Sequence, residues 1–226
     1  MSTIKIENLT KTINRNTVID NMTAELTGPN IIGFKGINGS GKTMLMRLIC
    51  GLIKPTEGSI TIDGKVLHKD ISFPESIGIL IENPAFLDGY SGFDNLKMLA
   101  SINNRISDET IKETIALVGL DPNDKKKYKK YSLGMKQRLG IACAIMENPD
   151  IIILDEPTNA LDSNGVQMVK NIVKEKRDNG ALVIISCHDL DILKELSEEI
   201  YVLEVGRIKE HFFVEKGTGE NTGEED

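Results

Sequence analysis

Two short stretches of this 226-residue chain have residue types and spacing suited to handling phosphate. The first, Gly36-Ile37-Asn38-Gly39-Ser40-Gly41-Lys42-Thr43, fits the pattern G-x-x-x-x-G-K-[ST]. Its glycines allow a sharp turn that aims backbone N–H groups at an anion, and a helix beginning behind the loop adds the positive end of its dipole. Lys42 then supplies a point charge for the β- and γ-phosphates of a nucleotide, and the Thr43 hydroxyl a ligand for Mg²⁺. The second stretch, Ile151-Ile152-Ile153-Leu154-Asp155-Glu156-Pro157, is an apolar run ending in two acids. Neighbouring residues at a strand end point differently, so Asp155 can face the metal while Glu156 faces an attacking water as general base. The plainer alternatives are a chance glycine turn before a helix and two acids capping a turn before Pro157. Each stretch makes the plain reading of the other less economical.

For these groups to meet, both stretches must leave a parallel sheet at the same edge. Residues 30–34 form a short apolar run without alternation, as expected of a strand buried on both faces, and residues 42–50 read as the helix after the loop. Residues 151–154, 182–186 and 200–208 read as further strands, with helices over 163–177 and 189–196 between them. Strands alternating with helices imply an α/β class with a mostly parallel sheet, whose carboxyl edge is where ligands bind. Ahead of this core, residues 3–9, 18–26 and 58–63 read as paired strands, the last closing at Asp63-Gly64, and residues 76–81 as one more strand. From about 92 to 147 the pattern is helical, with Ser107 as an N-cap and a last helix from Leu133 that places Met135, Leu139, Ala142 and Met146 on one buried stripe. We read this block as an inserted α-helical subdomain, residues 1–213 as one domain, and 214–226 as a disordered acidic tail.

Composition narrows the classes. The net charge is −7, which argues against a nucleic-acid partner, and the run of lysines from 125 to 130, broken by Tyr128, reads as a solvated loop. No apolar run approaches a bilayer span, and the first residues lack a signal-peptide pattern, so a cytoplasmic location is expected. Cys50, Cys143 and Cys187 form no CxxC pair and are expected to be reduced, mostly buried thiols.

The residues between the two phosphate-handling stretches decide which nucleotide-binding family they resemble. Tyr131-Ser132-Leu133-Gly134-Met135-Lys136-Gln137-Arg138 resembles the signature of the ABC ATPases, and the run from Leu154 to Asp162 resembles that family's joined metal-binding strand and D-loop. His188, in Ile185-Ser186-Cys187-His188-Asp189, stands where the family has its switch histidine. The resemblance covers nearly the whole chain. It implies the P-loop NTPase core described above, with an N-terminal antiparallel β subdomain, and an ATPase that uses ATP and Mg²⁺. It also implies an ATP-dependent head-to-tail dimer in which Ser132 and Gly134 of one copy face the nucleotide of the other. His188 would contact the γ-phosphate and Asp162 would link the two sites.

Three departures stand out. Where most of the family has glutamine, this chain has Glu82, which can still offer oxygen to Mg²⁺ or water but adds charge. Leu133 and Met135 replace the signature's usual glycine and glutamine. Ile13 stands where an aromatic residue usually stacks on adenine, with Val18 beside the ribose. The glutamate form with Ser-Leu-Gly-Met-Lys-Gln-Arg-Leu-Gly is most similar to the branch of antimicrobial-peptide and lantibiotic exporters or immunity transporters. That likeness implies a membrane-spanning permease on a separate chain, docked near Glu82 to Asp94, where Pro84, Phe86, Tyr90 and Phe93 lie, and attachment to the inner face of the membrane through it. A soluble ABC ATPase of the cofactor-assembly scaffold type is the alternative. A GTPase or small-molecule kinase is disfavoured, because the sequence has no Asn-Lys-x-Asp and no lid.

Overall fold

The computed structural model describes residues 1–214, and the tail expected over 214–226 lies, apart from Val214, outside the described residues. Val214 itself is tied down, its N–H donating to the Glu198 carbonyl at 2.9 Å. Two sheets organise the chain. The first is antiparallel in the order β2-β1-β4-β5, built from β1 (Thr3–Ile13), β2 (Asn16–Thr27), β4 (Glu57–Ile62) and β5 (Lys65–Val66). The second has the order β10-β9-β3-β8-β7-β6. In it β3 (Asn30–Lys35), β6 (Ile77–Leu80), β7 (Ile151–Asp155), β8 (Leu182–Cys187) and β9 (Glu199–Glu204) run parallel, and β10 (Arg207–Phe213) closes one edge antiparallel.

The apolar runs form the centre of this second sheet for a simple reason. Every residue of β7 and β8 is buried, so alternation with polar residues would strand side chains inside the protein. Successive residues serve opposite faces. Ile152, Leu154, Val183 and Ile185 join the core beneath the helical block, whereas Ile151, Ile153, Leu182 and Ile184 join the core shared with α1 (Lys42–Ile49) and the antiparallel sheet. The connections α5 (Ser163–Asp178) and α6 (Leu190–Leu196) return the chain to the amino edge, so each strand delivers its last residue to the same side. Between β6 and β7 lie α2 (Gly92–Asn103), α3 (Asp108–Leu117) and α4 (Leu133–Ile145), with Ser107 capping α3 as expected.

Two features differ from the sequence reading. The first hairpin is longer, reaching Ile13 and resuming at Asn16, with Asn14 and Arg15 both at positive φ as a two-residue hairpin turn requires. Its outer half carries polar residues on exposed faces, which hid the strand. Helix α4 buries more than one stripe, because Gln137, Gly140, Ile141, Ala144 and Ile145 are buried along with Leu139 and Ala142. The close approach of β6 accounts for this: a Cβ on Gly78 would lie 1.7 Å from the Ala144 carbonyl oxygen. Any side chain there would drive strand and helix apart.

Candidate active site

The loop from Gly36 to Gly41 joins the carboxyl end of β3 to α1. Gly41 sits at the helix start with φ 109°, and a Cβ there would come within 3.0 Å of the Val18 carbonyl, so glycine answers both the backbone and the space. The end of α1 behind this loop is chemically distinctive. Helices α2 to α6 each receive a side-chain cap, from Ser91, Ser107, Ser132, Asp162 and Asp189 respectively. Helix α1 has no side-chain cap and no acid in its first turn. Its leading amides are therefore available to an anion, which the positive end of the dipole favours.

Lys42 is buried, and its Nζ donates to the Gly36 carbonyl at 2.5 Å and the Ile37 carbonyl at 3.3 Å, both in its own loop. It also lies 3.6 Å from Glu156 Oε1. Thr43 Oγ1 donates to Asp155 Oδ2 at 2.6 Å, which brings the two sequence stretches together across α1 and β7. A hydroxyl beside a carboxylate is an all-oxygen donor pair of the kind Mg²⁺ takes.

Ser186, which the sequence reading did not single out, organises both acids. Its hydroxyl donates to Asp155 Oδ1 and accepts from the Glu156 N–H at 2.9 Å. It is fully buried in β8, opposite Asp155 in the parallel register. A lone hydroxyl in an otherwise apolar strand was the available signal.

Glu156 leaves the strand with φ 48°, the left-handed region that costs a side-chain-bearing residue about 1 kcal/mol or more and that concentrates at functional sites. Its Oε2 contacts His188 Nδ1 at 3.0 Å, and its buried Oε1 has no hydrogen-bond partner. Gln137, on α4, donates to the carbonyls of Glu156 and Pro157 at 3.2 Å each, which fastens the helical block to the turn carrying the acid.

A cavity of about 420 Å³ is lined by Asn38, Gly39, Gly41, Lys42, Thr43, Val18, Glu82, Asp155 and Glu156, among others. Gly36 and Ser40 do not line it, the first accepting from Lys42 and the second buried with its hydroxyl unpaired. Glu82, also at positive φ, is held by Arg47 of α1 at 2.8 Å, so the charge that glutamate adds has a partner which also lines the cavity. Spacing alone did not point to Arg47.

Other expected site residues lie away from this cavity. Ile13 is 38% exposed in the hairpin and does not line it. Neither do Ser132, Gly134 and Asp162. Ser132 Oγ accepts from Met135 N–H at 3.2 Å, and Asp162 Oδ1 accepts from Gly165 N–H at 2.8 Å, each capping its helix. Leu133 between them is 63% exposed. In the segment from Glu82 to Asp94, Phe86 and Phe93 pack against the core, whereas Leu87 and Tyr90 face solvent. The lysines of the 125–130 run are exposed around a buried Tyr128. The three thiols are free, burial pushing Cys50 up to about 12 and Cys143 to about 11, while Cys187 is raised by burial and then by the Glu156 charge.

Comparison with known proteins shows the family. A family model described as ABC transporter matches residues 19–159. The uncharacterized ABC transporter ATP-binding protein YybJ of Bacillus subtilis is 48% identical over 206 residues, covering 91% of this chain and 94% of that protein. The lantibiotic transport ATP-binding protein SrtF of Streptococcus pyogenes is 35% identical over 206 residues, covering 91% and 88%. Among solved structures, a dimeric ATP-binding cassette in a post-hydrolysis state, bound to ADP and Pi, superposes with a TM-score of 0.83 at 24% identity, covering 94% of this chain and 99% of that one. Among the described residues, no helix is long and apolar enough to cross a membrane.

Proposed function

This chain belongs to the ABC transporter family as an ATP-binding, ATP-hydrolysing subunit, and we propose that two copies close head to tail on two nucleotides to drive export of a peptide-like substrate through a separate permease. The observation that carries the proposal is the division of the site. The phosphate-facing residues share one cavity, while Ser132 and Gly134 stand on another part of the same chain with an exposed helix start. A second copy is the natural source of the missing half.

In this reading the uncapped start of α1 holds the phosphates, and Lys42 exchanges its own loop carbonyls for phosphate oxygens. Thr43 and Asp155 hold Mg²⁺, whose contribution is to neutralise phosphate charge. Ser186 fixes the Asp155 carboxylate and the backbone of Glu156, leaving Glu156 Oε1 to take the proton of the attacking water. His188, already against Glu156, orients that carboxylate and reaches the γ-phosphate side. Ser132 can keep accepting from Met135 and still donate its own hydroxyl hydrogen to the partner's nucleotide. Val18 serves the ribose side, and Ile13 offers at most aliphatic contact to the base from the hairpin. Asp162 would link the two copies through the turn it caps.

The transport assignment is supported by relatives such as SrtF that match nearly end to end and are named for lantibiotic transport, which favours it over a soluble assembly scaffold. The permease would sit on the segment around Leu87 and Tyr90, placing the subunit at the inner face of the membrane. Light scattering on the Glu156→Gln protein with and without Mg-ATP tests the composite site. A shift from monomer to dimer with nucleotide is expected, and a protein that stays monomeric would reject the two-copy reading.

A further inference from the structure

We propose that Glu156, Cys187 and His188 form a binding site for a thiophilic divalent cation, zinc in the first instance, and that its occupancy arrests the ATPase. The effect on turnover rests on the catalytic reading above, whereas binding of the cation does not.

One carboxylate oxygen, the Cys187 Sγ and one ring nitrogen of His188 all lie within 4.8 Å of one another, and this is the one such trio among the described residues. Three points so placed share a centre no more than about 2.8 Å from each, and zinc bonds of about 2.0–2.3 Å need only small side-chain rotations from there. The donor set is as informative as the spacing. Thiolate, imidazole and carboxylate together with an open fourth position suit zinc, whereas Mg²⁺ asks for six oxygens. The same trio therefore discriminates against the cation abundant around a nucleotide.

The supporting backbone belongs to two neighbouring strand ends. Cys187 is the last residue of β8 and His188 follows it directly, while Glu156 follows the last residue of the neighbouring parallel strand β7. Access is one-sided: the Cys187 side chain is buried, but the His188 ring is 65% exposed, so a cation enters past the imidazole. As the metal–sulfur bond forms, the thiol proton leaves to solvent. The plain reading of Cys187 is a small core residue, its sulfur accepting from the Asp189 N–H at 3.4 Å and lying 4.0 Å from the Thr158 hydroxyl. On that reading its replacement would leave the response to metals untouched, and this separates the two.

A bound cation would hold the Glu156 carboxylate away from its water and fix His188. Lys42, Thr43 and the loop amides take no part, so nucleotide binding persists while turnover stops. The test uses the full chain, with cobalt as a spectroscopic probe and zinc as the inhibitor. Cobalt added without nucleotide should give one equivalent of a thiolate-to-metal charge-transfer band, lost in both Cys187→Ser and Cys187→Ala. Zinc added to the Mg-ATP reaction should inhibit the wild type, a zinc-selective chelator should restore it, and the variants should need at least about tenfold more zinc for the same inhibition. Absence of the band in the wild type, its persistence in the Cys187→Ser protein, or equal zinc sensitivity of wild type and variants would overturn the proposal. A chain that takes cobalt at Cys187 yet hydrolyses no ATP would sink the catalytic reading and leave the metal site standing.

Discussion

Helices α1 and α4 are the two helix starts proposed to face nucleotide phosphate, yet they begin differently. At α1 the cap is glycine, the first turn has no acid, and the polar side chains of that turn, Lys42 and Thr43, are engaged by the loop's own carbonyls and by Asp155. At α4 the Ser132 hydroxyl already accepts from Met135 N–H, and the exposed Leu133 follows. The first helix start is left unsatisfied and needs an anion to complete it. The second is complete by itself and can only add to a complex. An uncapped end is costly for a helix of eight residues, so nucleotide should stabilise the α1 half far more than the α4 half.

The sharpest break in this comparison is at the acid between them. Glu156→Gln should lose about 10²-fold or more in turnover, measured by phosphate release, while fluorescent-nucleotide titration shows ATP still bound. Retained turnover would remove Glu156 from the base role. Next in size, Lys42→Ala should weaken ATP binding by about 10- to 100-fold, the worth of hydrogen bonds to a charged group, and unchanged affinity would deny α1 its special status. Ser132→Ala should lower unfolding free energy by about 1 kcal/mol through the lost cap, visible as a lower Tm, with the monomer's ATP affinity unaltered and dimer formation weakened. A drop in monomer affinity would mean the two helix starts act within one chain. The smallest effect concerns the Arg47–Glu82 pair. Both side chains are partly exposed, at 33% and 58%, so a double-mutant cycle of Arg47→Ala and Glu82→Gln on ATP affinity should show coupling of about 0.5 kcal/mol. Strict additivity would make the pair incidental.

Much of this could be read from residue order. The loop from Gly36 to Thr43 and the strand ending in Asp155-Glu156 announce themselves, because phosphate binding restricts residue type at fixed spacing. The buried strands are equally plain, since a strand covered on both faces admits almost nothing polar. What stayed hidden depends on contacts between distant segments. Arg47 looks like any basic residue near a helix end until the fold sets it against Glu82. Gln137 reads as part of a polar helix surface, and only the packing of α4 turns it onto the carbonyls of Glu156 and Pro157. The left-handed backbone of Glu156 and Glu82 leaves no trace in residue type at all. Polar residues on the outer half of the first hairpin concealed its length for the opposite reason, because an exposed strand has no need to look like one.

The residues just before the signature are stitched to the segment after β6. Tyr128 donates its hydroxyl to the Pro84 carbonyl at 2.5 Å and its N–H to the Tyr90 carbonyl at 2.9 Å, and the Gly92 N–H donates to the Tyr131 hydroxyl at 3.2 Å. Phe86 adds an edge-on contact with Tyr128 at 5.3 Å. Together these contacts tie the segment carrying the exposed Leu87 and Tyr90 to the turn that leads into Ser132. Were a partner to press on Leu87 and Tyr90, these bonds and the ring contact would carry the push toward the start of α4 rather than let it dissipate in the loop.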